Sequence, residues 1–120
     1  MGFPSPATDY KEEVIDISRE LVKHPAATFY MRVKGDSMLN ACIPNNSLLV
    51  VDRSIKASSG MIVVATVNGE FTVRRIISIR QRWVLHPENP SYKPLPVTEE
   101  MNMLVWGVVT AVIIQPLKLD

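Results

Sequence analysis

The chain of 120 residues contains one cysteine, Cys42, so no intramolecular disulfide can form and no second thiolate is present to build a zinc site. That usage points to a reducing, intracellular setting, with Cys42 itself read as a small buried hydrophobe. An excess of one charge is lacking too. A net charge of +1 gives no general electrostatic reason for tight binding to nucleic acid or to an anionic membrane, either of which favours a strongly basic face. The five glycines are scattered, so no glycine-rich phosphate loop is present. The longest apolar run, "MLVWGVVTAVII" from Met103 to Ile114, falls short of the roughly 20 residues that a membrane-crossing helix needs and reads as a buried strand. The start, "MGFPSPATDYKEE", lacks both the basic opening and the apolar stretch of an export signal. Cytoplasmic location without membrane contact is the expectation.

What is present is a core. With 47% hydrophobic and 21% charged residues, the chain has the composition of one compact globular domain. Residues 1–13, punctuated by prolines and without apolar periodicity, are expected to form a flexible arm ahead of a single domain over 14–120. "KEEVIDISRELVKHP" places Val14, Ile17, Leu21 and Val22 at helical spacing, which predicts one short helix starting near Asp16 and stopped by Pro25. Beyond it the pattern turns to β-branched runs: "ATFYMRVK", "SLLVVD", "MIVVATV", "EFTVRRIISI", "RWVLHP" and the apolar run above. These predict a mainly β fold. Asn68-Gly69 between two of them is a two-residue hairpin signal, and "HPENPSYKPLP" reads as a proline-punctuated loop.

Chemistry is harder to find by spacing. His24 and His86 each precede proline, and neither has a Cys, Asp or Glu at metal-ligand spacing, so surface or loop roles are expected and no metal or cofactor is implied. Arg74, Arg75, Arg80 and Arg82 form a basic cluster, but without an aromatic stacking series they read as a solvated strand face rather than a nucleic-acid surface. Ser37, in "VKGDSM" directly after a predicted strand, is by residue type ordinary turn chemistry.

Several stretches in order change that reading. "GFPSPATDY", "HPAATFYMRVKGDSM", "LLVVDRSIKASSG", "IVVATVNGEFTVRR" and "VWGVVTAVI" together resemble the UmuD family, accessory subunits of error-prone DNA polymerase V. Those proteins are similar to the carboxy-terminal domains of LexA and phage repressors, which are mostly β and cleave themselves with a Ser-Lys dyad. The resemblance implies a LexA-like β fold, with Ser37 at the nucleophile position. It also implies that the general base should be the first basic residue after Phe71-Thr72-Val73, and that residue is Arg74.

Such a dyad needs a neutral amine to take the serine proton, and a buried lysine supplies one because burial disfavours the ammonium. Arginine stays protonated and can only donate hydrogen bonds. Arg75 is another arginine, turned to the opposite face by strand alternation, and Lys56 and Lys93 are the lysines flanking Arg74 in sequence. The family's scissile bond, a Cys or Ala before the glycine of Gly-Phe-Pro-Ser-Pro, is also missing, since only Met1 precedes Gly2. The expectation is a processed, non-cleaving form. By resemblance it makes a homodimer that joins a Y-family polymerase subunit and the RecA filament, touching DNA only indirectly. Trp106 in the last apolar strand is either an interface anchor or part of the core. The competing readings are an active LexA-like serine self-peptidase and a repressor-derived domain, the latter requiring a helix-turn-helix reader that one short helix does not supply.

Overall fold

A computed structural model describes residues 14–117; the expected arm over 1–13 lies outside them. The β-branched runs form strands β1 (Thr28–Arg32), β2 (Leu48–Asp52), β3 (Ile62–Val67), β4 (Glu70–Ile79) and β5 (Arg82–His86). They are followed by the two-residue β6 (Leu95–Pro96) and the long β7 (Leu104–Ile113). All pair antiparallel in one sheet of order β1-β2-β7-β3-β4-β5-β6. The apolar run at the end of the chain is therefore a central strand, flanked by β2 and β3. Asn68 (φ 50°) and Gly69 (φ 84°) make the β3–β4 hairpin with both central residues left-handed, the geometry that follows strand twist.

Side-chain alternation gives the sheet two apolar faces. On one, Leu49, Val51 and Val64 pack with Val33, Met38 and Ile43 from the segment joining β1 to β2. On the other, Val63, Ala65, Ile76, Leu85 and Val108 are covered by Ile55, Ala57 and Met61 and by Val97 and Met103. Covering both faces explains why β2 and β3 read as unbroken apolar runs. At Gly107 in β7 a Cβ would lie 2.5 Å from Val51 Cγ1, which is itself fully buried. Gly107→Ala is expected to lower the unfolding free energy by about 1–3 kcal/mol through overpacking, read from urea melts of the two proteins.

The one α-helix among the described residues, α1 (Ile17–Leu21), is capped as its sequence suggests, Asp16 Oδ1 accepting from the Arg19 N–H at 3.3 Å. It is only five residues long and buries none of them, so its apolar spacing does not build core. The chain is tied down just beyond it. His24 Nδ1 meets Asp52 Oδ2, and Asp52 Oδ1 accepts from Ser54 N–H at 2.8 Å and Ser54 Oγ at 2.6 Å. Asp52 is 3% exposed, and the Ser54 and then His24 hydrogen bonds hold its carboxyl down at about 2. In the unfolded chain an aspartate titrates near 3.8, so this group contributes stability above that pH and loses it as pH falls through about 2. The stability advantage over Asp52→Asn, measured by denaturant melts from pH 6 downward, should shrink across that window. A gap that does not change with pH would contradict this.

Three local expectations are corrected. Cys42 is exposed and left-handed (φ 63°), because it ends a 3₁₀ turn over Leu39–Ala41 whose neighbours Met38 and Ile43 take the core positions. His86 is not in a loop but is the last residue of β5, paired with Arg75 across the ladder. The proline-punctuated stretch is not wholly irregular either, since Leu95–Pro96 pairs with Val84 and Leu85 as an edge strand.

Candidate functional site

Ser37 sits on a turn between β1 and the 3₁₀ segment, and the turn is fixed from both sides. Gly35 adopts φ 89°, a left-handed position suited to glycine, and donates its N–H to Asn45 Oδ1 at 2.8 Å. Met38, 1% exposed, plugs the next residue into the core and so pins the backbone beneath Ser37. From the opposite side comes the segment after β5. Glu88 N–H donates to the Ser37 carbonyl at 2.9 Å, and Asn40 N–H donates to the Glu88 carbonyl at 2.8 Å. Asn89 Nδ2 donates to the Asp36 carbonyl, and Tyr92 Oη to Asp36 Oδ1, each at 2.8 Å. The Asp36 hydrogen bond stabilises the protonated phenol and raises Tyr92 above its ordinary value.

Arg74 arrives on β4. Its Nη1 donates to Ser37 Oγ at 2.7 Å and to the Val73 carbonyl at 2.7 Å, with the guanidinium carbon 5.8 Å from the Tyr92 ring centre. Burial lowers the Arg74 pKa, but a guanidinium starts so high that it keeps its proton at neutral pH. The two residues picked out in the sequence are thus brought together from 37 positions apart. In this arrangement the side chain can orient and polarise the hydroxyl. It cannot accept the hydroxyl proton, which is what nucleophilic attack requires.

The remaining basic residues separate. Arg75 pairs through Nε with Glu88 and donates Nη1 to the Gly60 carbonyl at 2.7 Å. Arg80 and Arg82 stand exposed at the far end of the β4–β5 hairpin. The four arginines are therefore not one solvated face. Lys56 and Lys93 neither bond Ser37 nor line its cleft. The lysine that does line the cleft is Lys34, three residues before Ser37, and it makes no hydrogen bond to the serine. Lys34 was within sight in the sequence, whereas Glu88, Asn89 and Tyr92 had no spacing signal to link them to residue 37.

The cleft itself has a volume of about 270 Å³ and a floor of Leu49, Val64 and Val73. At one end Phe71 stacks edge-on against Trp106 at 5.6 Å, and Trp106 does the same with Phe29 at 5.4 Å. Arg53 lies over the indole at 4.5 Å and donates Nε to the Trp106 carbonyl at 2.9 Å. Trp106 is thus engaged within the chain.

The Peptidase S24-like family matches residues 1–110. ImpA of Salmonella typhimurium, a UmuD homologue, is 46% identical over 114 residues, which is 93% of this chain and 76% of ImpA. MucA of Escherichia coli, another, is 44% identical over 117 residues, covering 95% of this chain and 78% of MucA. The chain belongs to the UmuD family. LexA repressor 1 of Geobacter sulfurreducens is 43% identical over 94 residues, 78% of this chain but 46% of the repressor. Among the described residues of this UmuD-family chain, the seven-stranded antiparallel sheet and one short α-helix agree with the mainly β fold that the resemblance implied. Among the described residues, no helix is long and apolar enough to cross a membrane, and no cluster of His, Cys, Asp and Glu is arranged to hold a metal ion.

Proposed function

We propose that this chain is a non-cleaving accessory subunit of an error-prone translesion DNA polymerase, of the polymerase V type, acting in the cytoplasm during the SOS response to DNA damage. Ser37 stands at the family's nucleophile position and Arg74 at that of its general-base lysine. The observation that carries the reading is the 2.7 Å hydrogen bond from Arg74 Nη1 to Ser37 Oγ, because it puts a permanent donor where the reaction needs an acceptor. With the chemistry stopped, what the fold offers is surface. The partners are a second copy of the chain, a Y-family polymerase subunit and the RecA filament. DNA is reached through them, in keeping with a net charge of +1.

Co-expression with the cognate Y-family subunit, followed by light scattering, tests this. A stable assembly of two copies of this chain to one polymerase subunit is expected, and sedimentation of the chain alone at micromolar concentration should give the dimer mass. Two folded proteins that fail to associate would overturn the proposal in favour of the peptidase or repressor-derived readings.

A further inference from the structure

The half-buried guanidinium of Arg74 has no carboxylate partner among the described residues, whose ion pairs are His24–Asp52 and Arg75–Glu88. Arg74 makes its two hydrogen bonds through one nitrogen, Nη1, to neutral oxygens, leaving the Nε and Nη2 donors without a partner among those residues. A desolvated cation so placed favours an incoming anion. The cleft around it is lined by Arg32, Lys34 and Arg74 and by no Asp or Glu; the adjacent Asp36 carboxylate is engaged by Tyr92. The backbone N–H of Met38, next after Ser37, likewise has no acceptor among the described residues.

A second observation concerns the sheet. β5 pairs with β4 only from Arg75 to Ile79, whereas β3 pairs with it from Glu70 to Arg75, so residues 70–74 have an open edge. Ile76 bonds back to Met61 and Gly60, which fixes the alternation and turns the peptide groups of Phe71 and Val73 to the open side; the Val73 carbonyl already accepts from Arg74 Nη1, which leaves the Phe71 N–H and carbonyl and the Val73 N–H for an added strand. An exposed edge of this kind accepts an extended peptide as an added strand. Its apolar floor suits small or branched aliphatic side chains.

We propose that the cleft captures the free carboxy-terminal carboxylate of an extended apolar peptide. The peptide adds to the Phe71–Val73 edge, and its terminal carboxylate sits on Arg74 and the Ser37 hydroxyl. No bond is made or broken. This inference rests on the reading of Ser37 and Arg74 as a non-cleaving site: the residue that removes the base supplies the anion receptor.

The test is a titration of the intact chain, followed by amide NMR shifts, with three probes. These are N-acetyl-leucyl-valyl-alanine with a free carboxylate, its carboxamide, and an amidated peptide of equal length carrying an internal aspartate. The free acid should bind at least tenfold more tightly than either amide, perturb the amides of residues 37, 38 and 71–74, and weaken with added salt. Arg74→Gln, confirmed folded by its own spectrum, should bind acid and carboxamide alike. Equal binding of acid and carboxamide to the unmodified chain, or no binding of the acid, overturns the inference, and that comparison needs no variant. Equal binding of the aspartate peptide overturns the terminal specificity. Mass spectrometry of the probes after incubation separates the two levels: hydrolysis sinks the non-cleaving reading and this inference with it, whereas intact probes without acid preference sink the inference alone.

Discussion

Replacing Arg74 by lysine will switch on peptide-bond hydrolysis at Ser37. The guanidinium already reaches the hydroxyl at 2.7 Å from a half-buried strand position, so a lysine rising from the same backbone needs only a small rotamer change to come within hydrogen-bond reach. The decisive difference is the proton. Burial that leaves an arginine charged pushes a lysine amine down toward neutrality, where it can take the serine proton. A positioned general base is worth about 10²–10⁴-fold, so cleavage of a peptide carrying an Ala-Gly bond should rise by that factor in Arg74→Lys and vanish in the double variant with Ser37→Ala. An unchanged rate in folded Arg74→Lys would mean that something besides the base is missing from the site. Cleavage by the unmodified chain would mean that another group, Lys34 being the one on the cleft wall, does the work assigned to lysine.

The second large effect lies under the turn. Met38 is 1% exposed and packed with Val33, Ile43, Leu49 and Val64, so Met38→Ala leaves a cavity between the turn and the sheet. About 2–5 kcal/mol of stability should be lost, a large share of the roughly 5–15 kcal/mol that holds a domain together. Thermal and urea melts will show it. Because Met38 fixes the backbone next to Ser37, adding Met38→Ala to Arg74→Lys should also reduce the gained hydrolysis under conditions where the double variant is still folded. A loss confined to stability, with the rate retained, would show that Glu88, Asn89 and Tyr92 suffice to hold the turn.

The strands were legible because their signals are local. Every β-branched run named in the sequence is a strand, and Asn68-Gly69 turns where a left-handed pair was called for. The next hairpin turns on Arg80 (φ 51°) and Gln81 (φ 66°), which carry no such signal; there the pairing of β4 with β5 imposes the conformation. The site was legible only in part. Ser37 and Arg74 could be singled out because a family pattern points at both, while the residues that hold the Ser37 turn lie some fifty positions away in a loop of polar and proline residues. Cys42 misled because residue type predicts burial, but its place at the end of a 3₁₀ turn decides exposure. The basic cluster misled in the same way. Composition made it one face, and the ladder sends Arg74 to the serine and Arg75 to Glu88.

The most direct measurement is the reactivity of Ser37 in the unmodified chain. Incubated at pH 7 to 9 with a serine-directed fluorophosphonate and weighed by intact-protein mass spectrometry, the chain should carry no more adduct than Ser37→Ala, because Arg74 cannot take the hydroxyl proton. Stoichiometric labelling that maps to Ser37 would contradict the account, since the serine would then be activated with arginine in the base's place.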